Sequence, residues 1–290
     1  MTTVGWVGLG AMGRPMAARV AGAGFALTVH DVDPSAARAL GRDVTVAGSS
    51  AQAAKDADVL VAMVATPAQL DDALFGDDGA APALRRGSVV LVMSTVGPAA
   101  VEAVAERLAG QDVGVVDAPV SGGVSRAAAG ELLVMVGGAG AAVAAVRPLL
   151  DVLATRAPVV GPAPGDGQKV KLVNQLLCGV HIAAAAEGLA FAEALGLDAA
   201  QCREVLRHGA AASFMLEDRG ERMVHGAGDE VRSALDIFVK DLGLVLGAAR
   251  DHAYPAPLAS AAEQLYLAGR RAGLGAVDDS RLIDVLRGRR

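Results

Sequence analysis

The sequence predicts an α/β Rossmann domain with a doubly wound sheet, followed by an all-α C-terminal domain. Up to about residue 160, short runs rich in Val and Leu alternate with Ala-rich amphipathic stretches. This alternation is typical of parallel strands that are joined by helical crossovers. Beyond residue 161 no such run recurs, and residues 168–286 have helical patterns.

The predicted strands are short apolar runs bounded by Gly, Pro or charged residues, as expected for strands that are buried on both faces. These runs are residues 4–7, 26–30, 59–63, 89–93, 113–118 and 132–136. The helical segments between them predict right-handed crossovers, and therefore parallel neighbours. We expect one parallel sheet from these six runs.

The boundary between the domains is predicted at the Pro- and Gly-rich segment 161–165. Such a cluster interrupts regular structure and is typical of a linker. We therefore expect a dinucleotide-binding domain over residues 1–163 and a helical domain over residues 164–290. The second domain begins with a predicted helix from about residue 168 to residue 195.

Composition and charge exclude several classes of protein. The net charge of −6 argues against a surface that binds nucleic acid. Cys178 and Cys202 show no metal-binding or disulfide spacing, and no His, Asp or Glu cluster has metal spacing, so we expect no metal. The apolar stretch 176–197 contains a histidine and two glutamates, which favours a core helix over a membrane span. No leader is apparent, and we expect a cytoplasmic protein.

A glycine-rich turn follows the first predicted strand, in the segment Gly8-Leu9-Gly10-Ala11-Met12-Gly13. In this G-x-G-x-x-G spacing, Gly8 permits a tight turn and Gly10 lets the backbone approach a pyrophosphate. Gly13 allows the following helix to pack closely on the strand. The free N–H groups at the start of that helix would bind the phosphates. The segment therefore predicts a dinucleotide site.

Asp31 lies at the end of the second predicted strand, eighteen residues after Gly13. An acid at this place accepts hydrogen bonds from the adenosine ribose. Its charge would repel a 2′-phosphate, and the next three residues include no Arg to compensate. The pattern favours NAD over NADP, although an aspartate here could also serve only to form the turn.

Two further strand ends carry polar residues at the edge of the sheet where doubly wound proteins bind ligands. Thr95 follows the run 89–93, and Ser121-Gly122-Gly123 follows the run 113–118. The hydroxyl of Ser121 and the N–H groups of the two glycines could receive an anion such as a carboxylate. A flexible turn without a binding role remains the alternative.

Lys171 and Asn174 lie near the start of the long predicted helix, three residues apart and therefore on one face. Lys169 lies about 200° around the helix from Lys171. The chain has only four lysines among 26 basic residues, and lysine, unlike arginine, can give up its proton. Lys171 is thus a candidate acid/base, with a solvated helix residue as the alternative.

With these motifs in order, the chain resembles the β-hydroxyacid dehydrogenases, which include 3-hydroxyisobutyrate dehydrogenase, tartronate semialdehyde reductase and relatives of 6-phosphogluconate dehydrogenase. The resemblance covers nearly the full length. The matching segments are 8–13, 94–96, 117–123, 165–174 and 238–244.

The resemblance implies that Lys171 is the catalytic acid/base and that Asn174 orients the substrate. It also implies that residues 121–123 hold the substrate carboxylate, and that Thr95 and Lys240 contact the cofactor near the nicotinamide. The family usually has two consecutive Asn residues where this chain has Asn174 and Gln175, which leaves the role of Gln175 open.

Segments 175–187 and 233–242 are most similar to family members that oxidise L-threonate, which implies that substrate. The alternatives are 3-hydroxyisobutyrate oxidation, reduction of tartronate semialdehyde or glyoxylate, and a dinucleotide-binding sensor without catalysis. The small helical domain cannot bury both faces of its first helix. We therefore expect a homodimer or homotetramer.

Overall fold

The computed structural model describes residues 2–41, 44–228 and 230–288. The chain divides into two compact units, Met1–Lys171 and Leu172–Arg290. The division falls within a long helix, whose first six residues belong to the first unit. All strands of the described residues lie in the first unit.

The strands of the first unit are β1 Thr3–Val7, β2 Ala26–His30, β3 Thr45–Val46, β4 Val59–Ala62, β5 Val89–Val92, β6 Gly114–Asp117, β7 Val120–Ser121, β8 Leu132–Val134, β9 Val136–Gly138, β10 Ala154–Arg156 and β11 Val159–Gly161. The main sheet has the order β3-β2-β1-β4-β5-β6-β9-β11, and β7, β8 and β10 form a smaller sheet. From β3 to β6 all neighbours are parallel, with the strand order of a dinucleotide-binding fold.

The predicted fold class is confirmed, but one predicted strand is wrong. The run 132–136 is not a single strand, because it breaks at Met135 into β8 of the small sheet and β9 of the main sheet. Moreover, β9 pairs with β6 in the antiparallel direction. The connection from β6 passes through the small sheet and not through a simple helical crossover, so nothing constrains β9 to be parallel.

Helices cover both faces of the main sheet. They are α1 Gly13–Gly22, α2 Pro34–Arg38, α3 Ser50–Ala54, α4 Pro67–Phe75, α5 Pro98–Leu108, α6 Gly123–Ala129 and α7 Gly140–Leu153. In β4, Val59 and Val61 pack into one apolar cluster, whereas Leu60 and Ala62 pack into the cluster on the opposite face. Packing on both faces explains why β4 and β5 are apolar at every position.

The second unit is helical in its described residues. Its helices are α8 Asp166–Ala194, which begins in the first unit, α9 Ala199–Leu206, α10 Phe214–His225, α11 Leu235–Asp251, α12 Pro257–Arg271 and α13 Leu282–Leu286. Tyr266 stacks on Phe238 with ring centroids 5.4 Å apart, and its hydroxyl donates to the carbonyl oxygen of Gly179. A Cβ at Gly179 would lie 2.9 Å from Leu242, so this glycine lets α8 and α11 pack closely.

Helix α8 is long and apolar enough, by length and composition alone, to cross a membrane. In the structure, 44% of its most apolar window is buried, and a core helix passes the same test. Four apolar side chains of the helix and the residue that follows it form an exposed stripe, which we call the α8 stripe. Its members are Val173, Leu177, Phe191 and, just beyond the helix, Leu195.

Candidate active site

The glycine-rich turn between β1 and α1 has the geometry that its spacing predicts. Gly8 has a φ of +95°, and a Cβ there would lie 2.3 Å from the carbonyl oxygen of Met63. A Cβ at Gly13 would lie 2.1 Å from the carbonyl oxygen of Gly8. By contrast, a Cβ at Gly10 would meet no atom of the described residues within 4 Å. Gly8 and Gly13 are thus required by packing, and Gly10 faces open space where a ligand can reach the backbone.

Asp31 holds this turn in place. Its Oδ2 accepts a hydrogen bond of 2.6 Å from the Leu9 N–H, and its Oδ1 accepts one of 2.8 Å from the Asp33 N–H. Each carboxylate oxygen can accept a further bond, so Asp31 can still bind a ribose hydroxyl. Its position at the end of β2 agrees with the predicted role, and the contact with Leu9 adds a structural one. Val32, the next residue, is 88% exposed.

A cavity of about 500 Å³ opens beside the turn and Asp31. Residues that follow β1, β2, β3 and β4 line it, among them Gly8, Gly10, Asp31, Ser49 and Ala65. This is the carboxyl edge of the strands at the point where the strand order reverses, which is where doubly wound folds bind dinucleotides. The open space at Gly10 and the acceptor oxygens of Asp31 fit the pyrophosphate and the adenosine ribose.

The loop after β5 carries Thr95, which is half-buried. Its neighbour Ser94 is buried, and the Ser94 Oγ accepts a 2.7 Å hydrogen bond from the Val64 N–H. That bond ties the end of β5 to the end of β4. Thr95 is therefore on a braced loop at the carboxyl edge of the sheet.

Ser121 ends the short strand β7, and Gly123 begins helix α6. Gly122 and Gly123 have φ values of +142° and +74°, which residues with a Cβ rarely adopt. Ser121 and Gly122 are partly exposed, and Gly123 is exposed. The turn can therefore offer a hydroxyl and backbone N–H groups to an anion.

Asp117 lies at the end of β6 and is completely buried. Its Oδ1 accepts a 2.8 Å hydrogen bond from the Gly165 N–H, and its Oδ2 accepts a 2.6 Å bond from the Gln168 N–H. The carboxylate thereby binds the N-terminal end of α8, where negative charge is favourable. Burial is the largest influence on its pKa, which is raised to about 6.

Gln168, in the first turn of α8, is also completely buried. Its Oε1 accepts hydrogen bonds of 3.1 Å from the N–H groups of Val96 and Gly97, and its Nε2 donates one of 2.9 Å to the Ser94 carbonyl oxygen. These three bonds flank Thr95 on both sides. Neither Gln168 nor Asp117 was predicted from the sequence as a functional residue.

The two lysines of α8 face in different directions, as their spacing predicts. Lys171 is only 6% exposed, whereas the side chain of Lys169 is 56% exposed and pairs with Asp166 and Glu102. Burying an amine is costly unless the surroundings compensate. Lys171 thus has the environment of a functional group and Lys169 that of a surface residue.

In the second unit, Asn174, Gln175, Lys240 and Asp241 form one polar network. The Asn174 Nδ2 donates a 2.8 Å hydrogen bond to the Gln175 Oε1, and the Gln175 Nε2 donates to the Asp241 Oδ2. The Lys240 Nζ lies 2.8 Å from the Asp241 Oδ1. Gln175 and Asp241 are buried, so Gln175 links α8 to α11 and connects two residues that are candidates from the sequence.

The structure thus groups the candidate residues in two sets. In the first unit, Gly8, Gly10 and Asp31 line one cavity. Hydrogen bonds join the flanks of Thr95 and the end of β6 to the helix of Lys171. In the second unit, Asn174 and Lys240 share the Gln175–Asp241 link. An acid inside the otherwise apolar run 113–118 was the available sequence signal for Asp117. Gln168 carried none.

Two family descriptions match the chain. The NAD-binding domain of 6-phosphogluconate dehydrogenase matches residues 3–161. The NAD-binding domain of NADP-dependent 3-hydroxyisobutyrate dehydrogenase matches residues 165–286.

Similar proteins cover nearly the whole chain. L-threonate dehydrogenase from Cupriavidus necator is 40% identical over 98% of this chain and 96% of its own length. 2-Hydroxy-3-oxopropionate reductase from Escherichia coli is 33% identical over 98% of this chain and 96% of its own length. The crystal structure of 3-hydroxyisobutyrate dehydrogenase from Salmonella typhimurium has a TM-score of 0.90 at 40% identity, with 98% of this chain and 100% of that chain covered. The structure of Psf3 in complex with NADP⁺ has a TM-score of 0.88 at 27% identity, with coverage of 98% and 100%.

Proposed function

Because the chain belongs to the β-hydroxyacid dehydrogenase family, we propose that it oxidises L-threonate with NAD to 2-oxo-tetronate (2-dehydro-L-erythronate). The family makes it an NAD-binding oxidoreductase that acts on hydroxy acids. The observation that carries the choice of substrate is the 40% identity to an L-threonate dehydrogenase over almost the full length of both chains.

In the proposed reaction, the turn 121–123 holds the substrate carboxylate. The Ser121 hydroxyl and the N–H groups of Gly122 and Gly123 would donate to it. With one end of the substrate fixed, the length of the chain decides which carbon faces the nicotinamide. NAD⁺ held at the glycine turn and Asp31 would supply the acceptor for the hydride that leaves C2 of the substrate.

Lys171 receives the proton in this proposal. The C2 hydroxyl gives its proton to the neutral amine of Lys171 while the C2–H bond breaks, and the C2–O bond becomes a carbonyl. In the reverse direction the protonated amine donates to the carbonyl oxygen. The burial of Lys171 supports this role, because a general acid/base acts from a fixed position and a buried side chain has few alternative rotamers.

Asn174 and Lys240 complete the proposal. Asn174 would orient the substrate, and Lys240 would contact the cofactor near the nicotinamide. The polar network supports both roles, since Gln175 and Asp241 bind the two side chains and restrict their rotamers. Fixed geometry of this kind is what positioning groups require.

The cofactor proposed is NAD and not NADP. Asp31 places a carboxylate beside the cavity, and residues 32–34 include no basic side chain that would bind a 2′-phosphate. The similar Psf3 structure is a complex with NADP⁺. The proposal therefore requires that kcat/KM be measured with both NAD and NADP.

The alternatives are oxidation of 3-hydroxyisobutyrate, reduction of tartronate semialdehyde or glyoxylate, and cofactor sensing without turnover. The decisive assay compares kcat/KM for L-threonate, D-threonate, D-glycerate and 3-hydroxyisobutyrate with NAD and NADP. A site that binds the extra hydroxyls of L-threonate should reject analogues that lack them by large factors. Preference for 3-hydroxyisobutyrate would overturn the substrate and leave the family intact. Cofactor binding without any turnover would favour a sensor.

We further propose that the enzyme is a cytoplasmic homodimer or homotetramer whose copies meet at the α8 stripe. Four large apolar side chains that are 47–62% exposed support this, because the same stripe on a second copy can cover them around a two-fold axis. Light scattering should show at least a dimer at micromolar concentration. Phe191→Glu should shift the mass towards 29 kDa, whereas a wild-type monomer would contradict the proposal.

A further inference from the structure

The first turn of α8 is bound to two separate strand ends by buried side chains. Gln168 makes three hydrogen bonds to the backbone of residues 94–97, and Asp117 at the end of β6 binds the N–H groups of Gly165 and Gln168. We call this set of five bonds the clasp. All of its members belong to the first unit.

The backbone around the clasp leaves little room for any other arrangement. A Cβ at Gly137 would lie 2.5 Å from the Asp117 Oδ1, and a Cβ at Gly167 would lie 2.8 Å from its Oδ2. Glycine at both positions lets the chain pack directly against the carboxylate. Buried atoms therefore enclose the clasp and fix the lengths and directions of its hydrogen bonds.

The location of the clasp relates it to the proposed chemistry. Lys171 lies three residues after Gln168, on the same side of the helix. Thr95 lies between the Ser94 carbonyl and the Val96 N–H, both of which Gln168 binds. Four residues beyond Asp117, the turn 121–123 begins. Lys171 is thus within one helical turn of a clasp residue, Thr95 lies between two clasp bonds, and the turn 121–123 begins four residues after Asp117.

We propose that Gln168 and Asp117 are positioning residues, which hold Lys171 at a fixed place relative to Thr95 and the turn 121–123. This inference rests on the proposed function, because it assigns the clasp to the same reaction. Misplacement of a reacting group by about 1 Å can lower the rate about 10²-fold. The clasp would therefore affect the rate of the chemical step more than the binding of the cofactor.

The first test replaces Gln168 by Ala and, as the control, Gln111 by Ala. Gln111 is an exposed glutamine that donates only to a nearby backbone carbonyl. For Gln168→Ala we expect kcat, per NADH-binding site, to fall roughly 10–100-fold, whereas the Kd for NADH changes less than about threefold. The Gln111→Ala control should have the same kcat and the same Kd for NADH as the wild type. A purely structural role would lower the melting temperature and leave kcat per binding site unchanged, and this result would overturn the proposal.

A second variant, Gln168→Glu, tests the proposal even if Gln168→Ala does not fold. Gln168→Glu keeps the acceptor for Val96 and Gly97, but only the protonated acid can donate to the Ser94 carbonyl oxygen. Its kcat, relative to the wild type at the same pH, should therefore fall as the pH rises and the glutamic acid ionises. A ratio that does not change with pH would contradict the role of the Ser94 bond.

Hydrogen exchange on the cofactor-free protein separates this inference from the proposed function. The amides of Val96 and Gly97 should exchange at least about tenfold faster in Gln168→Ala than in the wild type, while amides of the β4–β5 pair keep their protection. If the wild type oxidised no hydroxy acid, the proposed function and the reaction assigned to the clasp would fail, whereas faster exchange would still show that the clasp holds the loop. Unchanged exchange at residues 96–97 would show that the clasp does not hold the loop.

Discussion

Asp117→Asn is expected to make the protein more stable and less active at the same time. The substitution keeps the shape of the side chain and removes a buried charge. Because burial raises the pKa of Asp117 from 3.8 to about 6, its ionisation is less favourable in the folded than in the unfolded protein. A carboxyl group with a raised pKa contributes stability that is present at low pH and is lost as the pH rises through the folded value.

The magnitude follows from the size of the pKa change. One pKa unit corresponds to about 1.4 kcal/mol, so full ionisation of Asp117 lowers the free energy of unfolding by about 3 kcal/mol. About 2 kcal/mol of this loss falls between pH 4.5 and pH 8. The amide of the variant cannot ionise, and hence the variant should equal the wild type near pH 4 and exceed it by about 2–3 kcal/mol at pH 8.

The assay is urea unfolding at several pH values, followed by the fluorescence of Trp6. This residue is the single tryptophan of the chain and is buried in the first unit with Asp117. Asp58→Asn is the control, because hydrogen bonds from Thr3 lower the pKa of Asp58. The stability that Asp58 contributes is lost as the pH falls. The difference in free energy of unfolding between Asp58→Asn and the wild type should therefore change with pH in the direction opposite to that of Asp117→Asn.

Two results would refute the reasoning. Parallel pH profiles of the wild type and Asp117→Asn would show that the pKa of Asp117 is not raised. A variant that is less stable than the wild type at pH 8 would show that the two bonds from Gly165 and Gln168 outweigh the cost of burial. If the clasp acts as proposed, kcat falls in the same variant, since the Asn Nδ2 takes the place of one carboxylate oxygen and cannot accept the hydrogen bond made there.

Further predictions concern the lysines, the acid of the dinucleotide site and the polar network. Lys171→Ala should lower kcat roughly 10²–10⁴-fold with unchanged NADH affinity. In the same stopped-flow assay, the kcat of Lys169→Ala should stay close to that of the wild type. The opposite result would mean that the other face of α8 carries the chemistry. Asp31→Asn should weaken NAD binding roughly ten- to hundredfold and reduce the preference for NAD over NADP, whereas a wild type that already prefers NADPH would contradict the role of Asp31. Gln175→Ala should raise KM for both substrates through looser Asn174 and Lys240 side chains, and unchanged steady-state kinetics would show that the network is not needed.

The sequence predicted those parts of the fold that depend on pattern alone. The strands β1, β2, β4, β5 and β6 are rich in Val and Leu and could be recognised within one or two residues of their observed bounds. The strands β3, β7, β10 and β11 have two or three residues, which is too short for any period to be detected. The break at Met135 could not be predicted, because the five apolar residues 132–136 fit a single strand equally well.

The candidate site, like the fold, has parts that the local sequence predicts and parts that depend on contacts between distant residues. Gly8, Gly10 and Gly13 were predictable because their spacing is imposed by one local turn. Gln168 and Asp117 act over long separations in sequence, since their bonds join residues 48–74 positions apart. Such contacts follow from the path of the backbone, and a single sequence does not reveal which buried amide or acid will meet which loop.

The division after Lys171 has a consequence for how such an enzyme could diversify. The glycine turn, Asp31, the clasp and Lys171 lie in residues 2–171, whereas the network from Asn174 to Asp241 lies in the second unit. A crossover between the genes of two relatives at this point would transfer each set of hydrogen bonds intact. Recombination could thus exchange the half that carries Asn174 and Lys240 while Lys171, Asp31 and the glycine turn stay unchanged, and chimaeras made at this position would test whether the second unit sets the substrate range.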